Sequence, residues 1–155
     1  MPVVVVDTNV FVSAFLNLKG APARVWEAGK AHRYSLVMSP PLLRELLEVL
    51  SRPRILRVRK TPINDAEMFV REVAAIANLV SVSGSMKVCR DPDDDLVLET
   101  AVVGRAGYLV SRDEDVTRDR DVVNQLKRWG VQIVTVSQFL AILSKTGQPN
   151  KETSQ

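Results

Sequence analysis

Val3-Val4-Val5-Val6, running into Asp7-Thr8-Asn9, is the stretch that decides the fold. Four β-branched residues with no polar interruption read as a strand buried on both faces, because a half-exposed strand alternates with polar residues. Such a strand belongs in a parallel sheet covered by helices on both sides. Four further short strands are predicted at 35–38, 79–82, 108–111 and 132–136, with helical segments between them. The clearest helix spans 40–50, with Ser39 as its N-cap and Pro40 at its first position. Its Leu42, Leu43, Leu46, Leu47 and Leu50 fall on one face. Segments 63–77 and 92–105 read the same way, the second stopping near Gly107, and 137–143 makes a last helix. Strands alternating with helices predict an α/β chain, a three-layer α/β/α domain on a mainly parallel sheet of about five strands. Residues 1–144 are expected to form this one domain. Residues 145–155, polar and without periodicity, are expected to be a flexible tail.

Composition narrows the function classes. With 46% hydrophobic and 25% charged residues the chain has a globular balance, not a disordered one. No apolar run reaches the roughly 18 to 20 residues that span a bilayer. Met1-Pro2-Val3 enters an apolar stretch without a basic leader or a small-residue cleavage site, and Cys89 is the only cysteine. A cytoplasmic protein without an intrachain disulfide is the expectation. The net charge of +3 is unevenly spread: residues 91–121 hold ten acidic and four basic side chains, whereas the remainder holds eight acidic and seventeen basic. A basic body around one acidic segment suits a polyanion-binding surface with a cation site inside it.

The carboxylates gain meaning from their position. Ligands of open parallel sheets bind beyond the carboxyl ends of the strands. Asp7 follows the first strand directly, and Asp113 lies two residues past Ser111. Glu45 is in the second turn of the helix after strand 35–38, and Asp95 is in the first turns of the helix beginning near Pro92. All four are therefore expected at one edge of the sheet. Two carboxylates about 5 Å apart repel by roughly 3 kcal/mol at an effective dielectric near 20, so a cluster of four protonates or recruits a cation. No Lys, Arg or His at a neighbouring strand end neutralises them all, and Arg112 is the nearest candidate. Hard oxygen donors select Mg²⁺ or Mn²⁺, and His32 and Cys89 do not make a zinc site. Each acid also has an ordinary use: Asp7 as a helix cap, Asp93 to Asp95 as compensation of a helix dipole, Glu45 as solvated helix surface, Asp113 as loop. The shared edge is what argues for a site.

These residues and their spacing resemble the PIN-domain nucleases. Val5-Val6-Asp7-Thr8-Asn9-Val10 is similar to that family's first motif, and Glu45, 38 residues later on a leucine-rich helix, to its second. Arg90-Asp91-Pro92-Asp93-Asp94-Asp95 with Leu96 to Ala101 resembles the third, and Val110-Ser111-Arg112-Asp113 the fourth. The closing strand and helix, from Gly130 to Leu140, are similar as well. Asp95 is taken as the third acid because its 18-residue step to Asp113 matches the family interval, with Asp94 in reserve. Asp115 is the reserve for Asp113. The Asp-Pro-Asp-Asp-Asp pattern resembles most closely the toxins of toxin–antitoxin systems.

The resemblance implies a divalent-metal-dependent endoribonuclease. Asp7, Asp95 and Asp113 would hold one or two Mg²⁺ or Mn²⁺ ions and Glu45 would complete the cluster, with Thr8, Asn9 and Ser111 orienting the carboxylates. Hydrolysis by water makes no use of the 2′-hydroxyl, so RNA as substrate rests on the resemblance. Arg52, Arg54, Arg57, Arg59 and Lys60 place five cations within nine residues, expected to contact phosphates. The resemblance further implies an antitoxin partner and a homodimer or higher homo-oligomer. The rival from another class is a PIN-fold module that binds RNA or protein without turnover. A haloacid-dehalogenase-like phosphatase needs an acid two residues after the first, where this chain has Asn9. A receiver domain wants an Asp after the third strand and a Lys after the fifth, where this chain has Ser83 and Ser137.

Overall fold

The computed structural model describes residues 1–87, 92–112 and 120–146, without the side chains of 92 and 93. Five strands form one sheet: β1 (Val3–Val6), β2 (Ser35–Met38), β3 (Asn78–Leu79), β4 (Tyr108–Val110) and β5 (Gln132–Val134). Their order is β3-β2-β1-β4-β5 and every pairing is parallel. Val4, Val5 and Val6 are fully buried at its centre. The three-layer α/β/α architecture is the one anticipated.

Eight helices are described: α1 (Thr8–Leu16), α2 (Ala21–Lys30), α3 (Pro40–Leu50), α4 (Pro53–Arg59), α5 (Ile63–Ile76), α6 (Pro92–Val103), α7 (Arg120–Arg128) and α8 (Val136–Thr146). The chain steps from β1 outward to β2 and β3, then returns across β1 to β4 and β5. Right-handed crossovers therefore place the helices of the first half on one face and α6 and α7 on the other. The contacts agree: α1 packs on α2, α3 and α4, and α5 on α3, while α6 lies on β1, β2 and β4 and α7 on β5. α8 returns to α2.

Apolar spacing explains the cores of both layers. On α3, Leu42, Leu46 and Leu50 are fully buried, and Leu43 and Leu47 are half-buried beside them. Phe11 and Phe15 of α1 meet Trp26 of α2 and Phe69 of α5, with ring centroids 5.3 to 6.4 Å apart. Gly104, just past α6, permits close approach to β2: a Cβ there would lie 2.5 Å from Cγ1 of Val37.

Several boundaries differ from expectation. The strand expected at 79–82 is only Asn78–Leu79, because as the edge strand it pairs with β2 alone and β2 ends at Met38. β4 and β5 stop at Val110 and Val134, one and two residues early. α6 ends at Val103, and α8 extends from Val136 to Thr146, so Lys145 is helical. Residues 147–155 of the expected tail lie outside the described residues. Ser39 occupies the N-cap position of α3 without capping it. Its hydroxyl instead hydrogen-bonds that of Thr100 on α6 at 2.8 Å, tying β2 to the opposite helical layer. Among the described residues no helix is long and apolar enough to cross a membrane.

Candidate active site

The sheet register sets the site. Val6 pairs with Val110 and Val5 with Val37, so Asp7, Ser111 and Ser39 stand one rung beyond the strands, at their carboxyl ends. The Asp7 amide continues that ladder by donating to the Val110 carbonyl at 2.9 Å. Asp7 then becomes the N-cap of α1 in position, but its side chain does not cap. The carboxylate is occupied elsewhere: Ser111 Oγ donates to Oδ2 at 3.1 Å, and Thr8 Oγ1 lies 3.4 Å from Oδ1. Asp7, Thr8 and Ser111 are all buried. Burial raises the Asp7 carboxyl above its ordinary value, and the hydroxyls of Ser111 and Thr8 oppose that without overcoming it.

Glu45 sits half-buried in the second turn of α3, and Asp95 is buried at the start of α6, with Asp94 half-buried before it. α3 packs against α1 and α6, and α6 against β1, so the elements carrying these acids adjoin. Among the described residues, however, no group of three or more His, Cys, Asp or Glu side chains is close enough to hold a metal ion. Asp7, Glu45 and Asp95 lie on adjoining elements without closing into a cluster. Asp113 and its reserve Asp115 lie outside the described residues, as does Cys89. Asn9 Oδ1, two residues past Asp7, is buried and has no hydrogen-bond partner among the described residues. The donors on offer are carboxylate and amide oxygens, which suit Mg²⁺ or Mn²⁺ and not zinc. Arg112 is engaged with α1, its Nη1 donating to Ser13 Oγ at 2.6 Å.

The basic stretch divides into two kinds of residue. Arg52 precedes α4 and pairs with Glu48 at 3.2 Å, both side chains exposed. The Arg59 guanidinium stacks on the Phe15 ring, 3.9 Å from its centroid, so it is partly spent on packing. Arg54, Arg57 and Lys60 are exposed. Phe15 is eight residues along α1 from Asp7, about 12 Å at helical rise, so Arg59 does not line the edge at Asp7.

Glu99 was not foreseen as important. One turn past Asp95 and 5% exposed, it accepts hydrogen bonds from Gly84, Ser85 and Met86 amides and from the Ser83 and Ser85 hydroxyls, at 3.1 to 3.4 Å. Burial alone would raise its carboxyl, but these donors outweigh burial and hold it below the ordinary value. A Glu inside the apolar run Leu96 to Ala101 was the only sequence signal.

Residues 3–115 match the PIN domain family, and the chain belongs to it. PIN domains are generally nucleases, so membership implies a nuclease-type function. The uncharacterized protein MJ1680 of Methanocaldococcus jannaschii is similar, 27% identical over 126 residues that cover 80% of this chain and 79% of that protein. No solved structure matches.

Proposed function

We propose that this protein is a divalent-metal-dependent endoribonuclease. The observation that carries the reading is Asp7: a buried carboxylate at the carboxyl end of the central strand, held by Ser111 and Thr8, with burial working against its charge. A carboxylate kept there in spite of that cost is best matched by a cation bound next to it. Asp7 and Asp95, with Asp113 and with Glu45 completing the set, would hold Mg²⁺ or Mn²⁺. The cation would supply Lewis-acid stabilisation of charge on the phosphate oxygens and make water a stronger nucleophile. Ser111 and Thr8 fix the Asp7 rotamer, and the buried amide oxygen of Asn9 is a further acceptor at the same edge. Arg54, Arg57 and Lys60, all exposed, would contact the substrate backbone, and Arg52 and Arg59 would add charge from partly engaged positions.

The finer reading is a toxin of a toxin–antitoxin pair, acting in the cytoplasm as a homodimer or larger homo-oligomer and masked by a small antitoxin at the acidic edge. It is supported by the Asp-Pro-Asp-Asp-Asp segment at 91–95. The nuclease domain would run from residue 1 through the end of α8 at Thr146, followed by the polar stretch 147–155. The rival is a PIN-fold binding module without turnover; among the described residues, which do not include Asp113 and Asp115, no group of three acids forms a cluster.

Labelled single-stranded RNA incubated with the purified protein separates the two. Cleavage with manganese, none with chelator, and none by the Asp7→Asn or Asp95→Asn variants is the expected pattern. Cleavage by both variants at the wild-type rate would refute the assignment.

A further inference from the structure

The segment that Glu99 clamps is one wall of a second cleft. Five hydrogen bonds, none from a cation, tie residues 83–86 to α6. Beyond that wall opens a cleft of about 520 Å³, closed on the other side by Val103 at the end of α6 and by Gln125 and Trp129 at the end of α7. Folding leaves Trp129 47% and Val103 48% exposed, although both are large and apolar. The rest of the lining mixes apolar Met86 and Val102 with polar Ser81, Ser83, Ser85 and Lys87. Glu99 is the one acid among the described lining residues, and both its oxygens are turned to the clamped segment. Lys127 and Arg128, next to Trp129 in the chain, are exposed.

A half-exposed indole, groups that donate and accept hydrogen bonds, cations, and, among the described lining residues, no uncommitted carboxylate make up the chemistry that receives an unpaired nucleobase and its phosphate. Among the described lining residues, the apolar anchor of a protein partner would find Trp129, Val103, Val102 and Met86 to bury against, in a rim of serines and lysine. We propose that this cleft binds one nucleotide of a single-stranded RNA, with its base stacked on Trp129 and its phosphate facing Lys87. Val103 is eight residues along α6 from Asp95, about 12 Å at helical rise. A strand anchored in the cleft therefore reaches the acidic edge within a few nucleotides. The role of this strand as substrate rests on the nuclease reading above, but binding in the cleft requires neither a metal nor Asp7.

Titration of a ten-nucleotide oligouridylate into the full chain, with chelator present, tests the site. The protein has two tryptophans, and Trp26 is only 4% exposed, packed on Phe11 and Phe69, so quenching reports Trp129. Saturable quenching is expected, with binding of the labelled oligonucleotide weakened about ten-fold or more by Trp129→Leu and largely retained by Trp129→Phe. Gln125→Ala, which leaves the indole in place, is expected to weaken binding to a smaller extent. Undiminished affinity in a folded Trp129→Leu variant overturns the proposal, and so does equal quenching by inorganic polyphosphate, which has no bases. No response to the oligonucleotide also overturns it and turns attention to a protein partner. The Asp7→Asn variant keeps the quenching. If that variant also cleaved RNA normally, the nuclease assignment would fall and the nucleotide site would stand.

Discussion

Ser111 and Asp7 are 104 residues apart in the chain, yet the Ser111 hydroxyl donates to Oδ2 of Asp7 at 3.1 Å where β4 and β1 end side by side. Parallel pairing brings this about, since strands in register bring the residues that follow them to the same level. The bond favours the charged carboxylate and fixes its direction. Ser111→Ala is expected to lower kcat/KM for RNA by about ten-fold or more. Because the lost bond is one that lowers the Asp7 carboxyl, the acid limb of the pH–rate profile should also move to higher pH. A profile that falls in height without moving would show that Ser111 acts on packing alone.

Asp7 itself predicts a pH-dependent stability. Its folded value is raised by burial, so the folded state holds a proton that the unfolded chain releases. This contribution is fully present below the ordinary carboxylate range and is lost as pH rises through the folded value. In chelator, Asp7→Asn should therefore melt a few degrees above wild type at neutral pH, and the gap should close in acid. Thermal melts across pH measure it; a lower Tm for the variant at neutral pH would contradict the burial cost.

Glu99 carries the opposite sign. Its hydrogen bonds hold the folded value down, so its stabilisation is present above the ordinary carboxylate range and fades as pH falls through the folded value. Glu99→Ala leaves three loop amides without this acceptor and is expected to cost about 2–3 kcal/mol in chemical denaturation at neutral pH. Hydrogen exchange should speed up first at residues 84–86. Unchanged protection there would mean that the loop is held by something else.

The exposed cations of α4 predict a salt effect. Arg54→Glu with Arg57→Glu should weaken RNA binding and flatten its salt dependence, while manganese affinity stays unchanged. Equal binding at low salt would remove α4 from the RNA path.

The sequence made some of this legible for definite physical reasons. Val3–Val6, Ser35–Met38 and Pro40–Leu50 were read to the residue, because buried strands and an amphipathic helix leave uninterrupted or periodic apolar patterns. α4 was not, because only Ile55 of its seven residues is buried and the rest reads as a charged loop. α7 was not named either, since Val122 and Leu126 are its only buried residues in a polar stretch. Asp7 and Ser111 follow strands directly, so their place at the edge could be read once the strands were known. Glu99 and Trp129 could not be read in this way. The role of each depends on a partner segment, residues 83–86 for one and the open cleft for the other, that no local pattern encodes.

Manganese titration calorimetry on the wild type and on Asp7→Asn bears most directly on the acidic edge. Saturable binding by the wild type, weakened by ten-fold or more in the variant, is predicted. Equal affinity in the two proteins, or no binding by either, would contradict a cation held at the end of β1.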